Sequence, residues 1–120
     1  MDDKRRFTRT AYHSRATLGN EDTLWEVELE DISLNGVLIK RPENWGSDHL
    51  GEEFSFDLPL GDGTDIVVMR CKVAREDSER VGLQCTDIGI ESVTHLRRMM
   101  ELNTGDVELV NREFSQLWLV

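Results

Sequence analysis

The chain has 120 residues, 38% apolar and 32% charged, with fourteen Lys and Arg against twenty-four Asp and Glu for a net charge of -10. That is the size and balance of one soluble globular domain able to bury a real core, and no apolar run approaches the roughly 20 residues of a membrane span. The charged start is not followed by the apolar stretch of a secretory signal, so the expected location is the cytoplasm. Cys71 and Cys85 stand alone on apolar segments, which reads as reduced core thiols and supports neither a disulfide framework nor a metal site.

Residues 1–10 (MDDKRRFTRT) hold one strongly apolar side chain, Phe7, and no periodicity, and so read as a flexible basic arm. Five of the fourteen basic residues (Lys4, Arg5, Arg6, Arg9, Arg15) fall within the first fifteen positions. The remainder carries nine basic against twenty-two acidic residues, net -13. A cationic arm on an anionic body suits the capture of a compact anion, because the body repels an extended polyanion.

Order is expected from about Tyr12. Trp25, Val27 and Leu29 alternate with Glu26, Glu28 and Glu30, the pattern of a half-buried strand ending near Asp31. Ser33-Leu34-Asn35-Gly36 predicts a tight turn into a second strand, Val37-Leu38-Ile39. Gly46 to Gly51 reads as a loop. Phe54, Phe56 and Leu58 predict the next strand, Gly61-Asp62-Gly63 a hairpin-type turn, and Val67, Met69, Cys71 and Val73 the strand after it. A charged turn, Glu76 to Arg80, precedes a further strand through Val81, Leu83 and Cys85. Short strands at regular spacing predict a mainly β fold, a small antiparallel barrel or sandwich.

After Ile90 the period changes. Val93, Leu96, Met99, Met100 and Leu102 recur at helical spacing up to the stop signal Asn103-Thr104-Gly105. A second helix is expected from Asp106 through Leu109, Val110, Phe114, Leu117 and Trp118, packed on the barrel or serving a dimer or partner contact. The expected organisation is an arm over 1–10 and a single domain over 11–120, with the barrel at about 11–90 and a helical tail at about 91–120.

Catalysis is poorly supported: His13, His49 and His95 are scattered, and no nucleophile or zinc-protease motif occurs. The expected catalytic residues, metal ligands and cofactors are therefore none. Binding is better supported. Arg5-Arg6-Phe7-Thr8-Arg9 is an R-x-x-x-R arm, and Asp31-Ile32-Ser33-Leu34-Asn35-Gly36 is a D-x-S-x-x-G turn. A guanidinium forks onto phosphate or onto guanine O6 and N7, and Asp31 can accept from guanine N1-H and N2-H, donors that adenine lacks. Ser33 can donate to a phosphate oxygen, and Gly36 permits positive φ and close backbone approach.

On these two segments, in this order and context, the sequence resembles the PilZ domain family, and the resemblance extends over nearly the whole chain. It implies a six-stranded antiparallel PilZ-like β-barrel with C-terminal flanking helices, and a receptor or adaptor for the bacterial second messenger cyclic di-GMP. Arg5 and Arg9 would clasp guanine and phosphates, Asp31 would hold a guanine edge, and Ser33 and Gly36 would line the site. The chain looks most like the small stand-alone members, which His95-Leu96-Arg97-Arg98 and Glu101-Leu102-Asn103 also resemble. In that group a basic residue before the arm motif accompanies binding of an intercalated ligand dimer; Lys4 has that place, with Arg6 helping the extra phosphates. Some members carry a Trp near the ligand where this chain has Val73.

The expected behaviour is a monomer whose arm orders over the ligand and changes the surface for an unidentified downstream protein. Two alternatives stay open: a PilZ-like protein-interaction module without nucleotide, and a nonspecific nucleic-acid binder, against which the anionic body argues.

Overall fold

The computed structural model describes residues 10–46, 48–61 and 63–104, with side chains described from Ser14 to Leu102. Six strands, β1 (Thr10–Gly19), β2 (Leu24–Ser33), β3 (Gly36–Lys40), β4 (Glu53–Leu60), β5 (Asp65–Glu76) and β6 (Arg80–Ile88), precede one helix, α1 (Ile90–Thr104). All pairings are antiparallel, and the sheet closes in the order β1-β2-β3-β6-β5-β4. Closure is made by β1 on β4, with Thr17 opposite Asp57, Leu18 opposite Phe56 and Gly19 opposite Ser55. A closed barrel leaves no free sheet edge to recruit another strand.

Alternation sorts the side chains. Val27 and Leu29, Phe54, Phe56 and Leu58, Val67, Met69, Cys71 and Val73, and Val81 and Leu83 all enter the core, as their spacing predicts. β1 carries a weaker signal, because in its described half only Ala16 and Leu18 give apolar side chains to the core and they sit among Ser, Arg and Thr. Cys71 and Cys85 are free thiols directly opposite one another, Cys71 buried and Cys85 half-buried; burial, with the neighbouring cysteine adding to it at Cys71, raises both above the ordinary thiol range.

The helix expected after Ile90 begins at Ile90, where the Val93 amide donates to the Gly89 carbonyl (2.9 Å), and it buries Val93, Leu96, Met99 and Met100 against β5 and β1. Strand β6 pairs with β5 only as far as Ile88 opposite Met69, and beyond that point Ser92 Oγ accepts from the Val68 amide (2.9 Å). The helix thus replaces a strand neighbour at the place where the ladder stops. The expected second helix lies outside the described residues.

The loop from Arg41 to Glu52 is more than a connection. Its Trp45 is only 1% exposed and packs on Trp25 and Phe54, with ring centroids at 4.8 and 5.9 Å. Trp45 Nε1 donates to Glu76 Oε2 (2.8 Å), Trp25 Nε1 donates to the Asn44 carbonyl (3.3 Å), and Arg41 donates to the Asp77 carbonyl (2.8 Å) and to the Gly46 carbonyl. Trp45 therefore buries its ring and Trp25 covers it half-buried, and each indole N-H still finds an acceptor.

Candidate functional site

Asp31 and Ser33 lie at the end of β2, where it turns into β3. Asp31 pairs with Ala11 of β1 and Leu38 of β3, while Ser33 pairs with Gly36 across the two-residue turn Leu34-Asn35. With no irregularity between them, their two-residue offset keeps both on the outer face, and Ile32 between them is fully buried. Asp31 is half-buried, with Oδ1 shielded from solvent. Ser33 is 3% exposed, and its Oγ accepts from the Asn35 amide (3.1 Å). That serine turn leaves the hydroxyl proton available to a further acceptor.

Gly36 is required by backbone packing. Its φ is +153°, and a Cβ there would stand 1.9 Å from the Leu83 carbonyl oxygen of β6. The Asn35 carbonyl also accepts from the Cys85 amide (2.6 Å), so the turn is bonded directly to β6. Conformation and space both demand glycine here.

The register extends these residues into two cross-strand rows on the outer wall. One runs Asp31, Leu38, Gly82, Arg75, and the next runs Ser33, Gly36, Gln84, Lys72. Acceptor and hydroxyl groups stand on the β2 side and cations on the β5 side; between them lie Leu38 and Gly82 in the first row, and Gly36 and the exposed Gln84 in the second. Nearby acids are engaged: Glu30 meets Arg80 at 2.7 Å and Glu28 meets Lys40 at 3.2 Å. The hydrogen bond to Glu30 raises the Arg80 pKa above its already high value. Beside the turn, an open groove of about 370 Å³ runs from Leu34 past Cys85 and Thr86 to Ile90 and Val93 of α1.

Lys4, Arg5, Arg6 and Arg9 lie outside the described residues. The described chain begins next to Arg9, at Thr10, whose partner on β2 is Ile32, between Asp31 and Ser33. Strand pairing thus roots the arm beside the turn residues. Val73 is 2% exposed and packs inward opposite Leu83, away from the outer face. Among the described residues no group of His, Cys, Asp or Glu could hold a metal ion, and no helix is long and apolar enough to cross a membrane.

The PilZ domain family model matches residues 3–102, which spans the arm, the turn, the whole barrel and most of α1. This chain belongs to the PilZ domain family. The PilZ barrel is also seen in solved structures at low identity, which show the fold alone. The PilZ domain of CeSA from a cellulose-synthesizing bacterium is 15% identical, with a TM-score of 0.62 over 82% of this chain and 96% of that one. The Bacillus subtilis inhibitor of motility MotI/DgrA is 17% identical, with a TM-score of 0.67 over 86% of this chain and 53% of that one. An uncharacterized Legionella protein is 16% identical, with a TM-score of 0.52 over 80% and 94% of the two chains.

Reasoning from sequence missed the β5 side of this PilZ wall, Lys72 and Arg75, and the floor residue Gly82. The one available signal was a glycine within an otherwise alternating strand, Val81-Gly82-Leu83, which marks a close approach by another group.

Proposed function

We propose that this PilZ protein is a cytoplasmic cyclic di-GMP receptor and adaptor, a binding module without catalysis of its own. The observation that carries the reading is the meeting of three elements on one patch of wall: Asp31 and Ser33 share the outer face, Gly36 keeps the floor low, and the arm enters at Thr10 opposite Ile32. Asp31 accepts from N1-H and N2-H of one guanine, Ser33 donates to a phosphate oxygen, and Arg5, Arg6 and Arg9 close over the phosphates from the adjoining arm. Lys4 adds charge for a second, intercalated ligand.

Binding orders the arm, and the signal leaves through the surface it remakes. Leu34 lies within the turn that meets the ligand and also lines the groove shared with Ile90 and Val93. A partner that reads this groove senses whether the turn is occupied.

Titration calorimetry with cyclic di-GMP, GTP and cyclic di-AMP tests the reading. Saturable heat is expected with the first alone, lost in Arg9→Ala and Asp31→Ala and kept in Arg112→Ala. A folded wild-type protein that stays silent would leave the protein-interaction alternative in its place. Two ligands per chain support the role given to Lys4, and one removes it.

A further inference from the structure

Two β-bulges aim opposite charges at one floor. On β2, strict alternation from Val27 and Leu29 would carry Asp31 into the core. The register shift between Leu29 and Asp31 instead leaves Glu30 and Asp31 both partly exposed and gives the inward place to Ile32. On β5, alternation through Met69, Cys71 and Val73 would carry Arg75 inward, and the shift between Val73 and Arg75 exposes Ala74 and Arg75 together. A bulge gives up regular ladder pairing and re-aims a side chain, and bulges gather next to functional sites. Here the two re-aimed residues end the same cross-strand row, Asp31-Leu38-Gly82-Arg75.

The residue between Arg75 and the floor is a glycine. A Cβ on Gly82 would stand 3.5 Å from Arg75 Nε and 3.8 Å from Arg75 Cβ, so the Arg75 side chain lies across Gly82, over space that any other residue would fill. Arg70 and Arg80, on the same two strands, are each ion-paired to a glutamate, at 3.9 and 2.7 Å. Among the described residues no ion pair holds Arg75.

We propose that Arg75 is a specificity-determining contact for the second guanine of the ligand, an inference that rests on the cyclic di-GMP reading above. Asp31 and Arg75 are three strand spacings apart, about 14 Å along the sheet. That is a backbone separation; the Arg75 side chain extends inward across Gly82, so the two side chains meet the ligand from opposite margins of the floor, and a dinucleotide offers each a base of its own. Arg75 forks onto guanine O6 and N7, a pairing that adenine disrupts by placing an amino donor where O6 would be. Leu38 and Gly82 form the flat surface over which the ligand passes.

Binding of cyclic di-GMP and of the mixed cyclic GMP-AMP to wild type, Arg75→Ala, Gly82→Val and Arg70→Ala separates the outcomes. Wild type should prefer cyclic di-GMP over the mixed ligand by about tenfold or more. Arg75→Ala should weaken cyclic di-GMP by a similar factor and bring the two ligands close to equal, with an unchanged thermal midpoint. Gly82→Val, which lifts the guanidinium from the floor, should move in the same direction, while Arg70→Ala should match wild type. Equal binding by Arg75→Ala and wild type, or weakening of both ligands alike with the preference intact, overturns the role of Arg75 and leaves the receptor reading standing. A wild type that binds neither ligand overturns both.

Discussion

Arg75 and Glu76 are consecutive, yet they serve opposite sides of one barrel wall. Arg75 lies across a glycine on the outer face, among side chains aimed at solvent. Glu76 is drawn into the aromatic plug, where Oε2 accepts from Trp45 Nε1 at 2.8 Å and Oε1 accepts from the His49 amide at 3.1 Å. The indole hydrogen bond leads the groups that lower the Glu76 pKa, with the His49 amide and the charges of His49 and Arg41 adding to it. The plug spends its polar groups on one another and so supports the fold. The outer face keeps glycines along its floor and its charges at the margins, the arrangement on which the proposed ligand site rests.

The sharpest way to break this contrast is Trp45→Ala. It should cost about 3–5 kcal/mol in urea unfolding, as expected for a fully buried large aromatic, while the cyclic di-GMP binding proposed above is left unchanged in the folded protein. A parallel loss of affinity would show that plug and face form one unit.

Gly36→Ala comes next and should damage both properties. The added methyl group would meet the Leu83 carbonyl oxygen, so β3 and β6 must part; a loss of about 1–3 kcal/mol is expected, together with weaker ligand binding because the floor itself moves. Thermal unfolding and calorimetry on the same variant check the two effects separately.

The smallest effect is a pH dependence confined to the plug. Burial lowers the His49 pKa, but the Trp45 carbonyl at Nε2 (2.6 Å), Glu52 at Nδ1 (3.2 Å) and the charge of Glu76 outweigh it and raise it above 6.5. Both ring nitrogens face acceptors, so only the doubly protonated ring donates to both. Because the folded value is the higher one, this contribution is fully present below the unfolded value of about 6.5 and is lost as pH rises through the folded one. Glu76 behaves in the opposite sense: its contribution is present above about 4.5 and is lost as pH falls through the lowered folded value. Stability should therefore decline as pH rises above about 6.5, and His49→Gln should flatten that decline. An unchanged slope in His49→Gln would assign it to another group.

Five strands and the helix were legible in the sequence because each presents an apolar face at period two or 3.6. β1 was not, since its described half offers only Ala16 and Leu18 to the core, and its partners on both sides supply the rest of the burial. Trp45 also escaped notice. It lies in a loop whose pattern has no period, and only the folded chain brings Trp25, Phe54 and Glu76 around it.

The site divides in the same way. The turn holding Asp31, Ser33 and Gly36 was readable because a turn collects its special residues within a few positions, where donors, acceptors and a positive φ leave a local signature. Arg75 was not readable, because alternation from Val73 assigns it inward and a bulge depends on how the neighbouring strand pairs. By itself, then, the sequence determined most of the strands, the basic composition of the arm and the D-x-S-x-x-G turn, all of which are set by residues close in the chain. Only the tertiary structure decided that the arm enters beside that turn and that Asp31 and Arg75 end one row across four strands. Register is a property of pairs of strands, and closing the barrel is what brings those pairs into line.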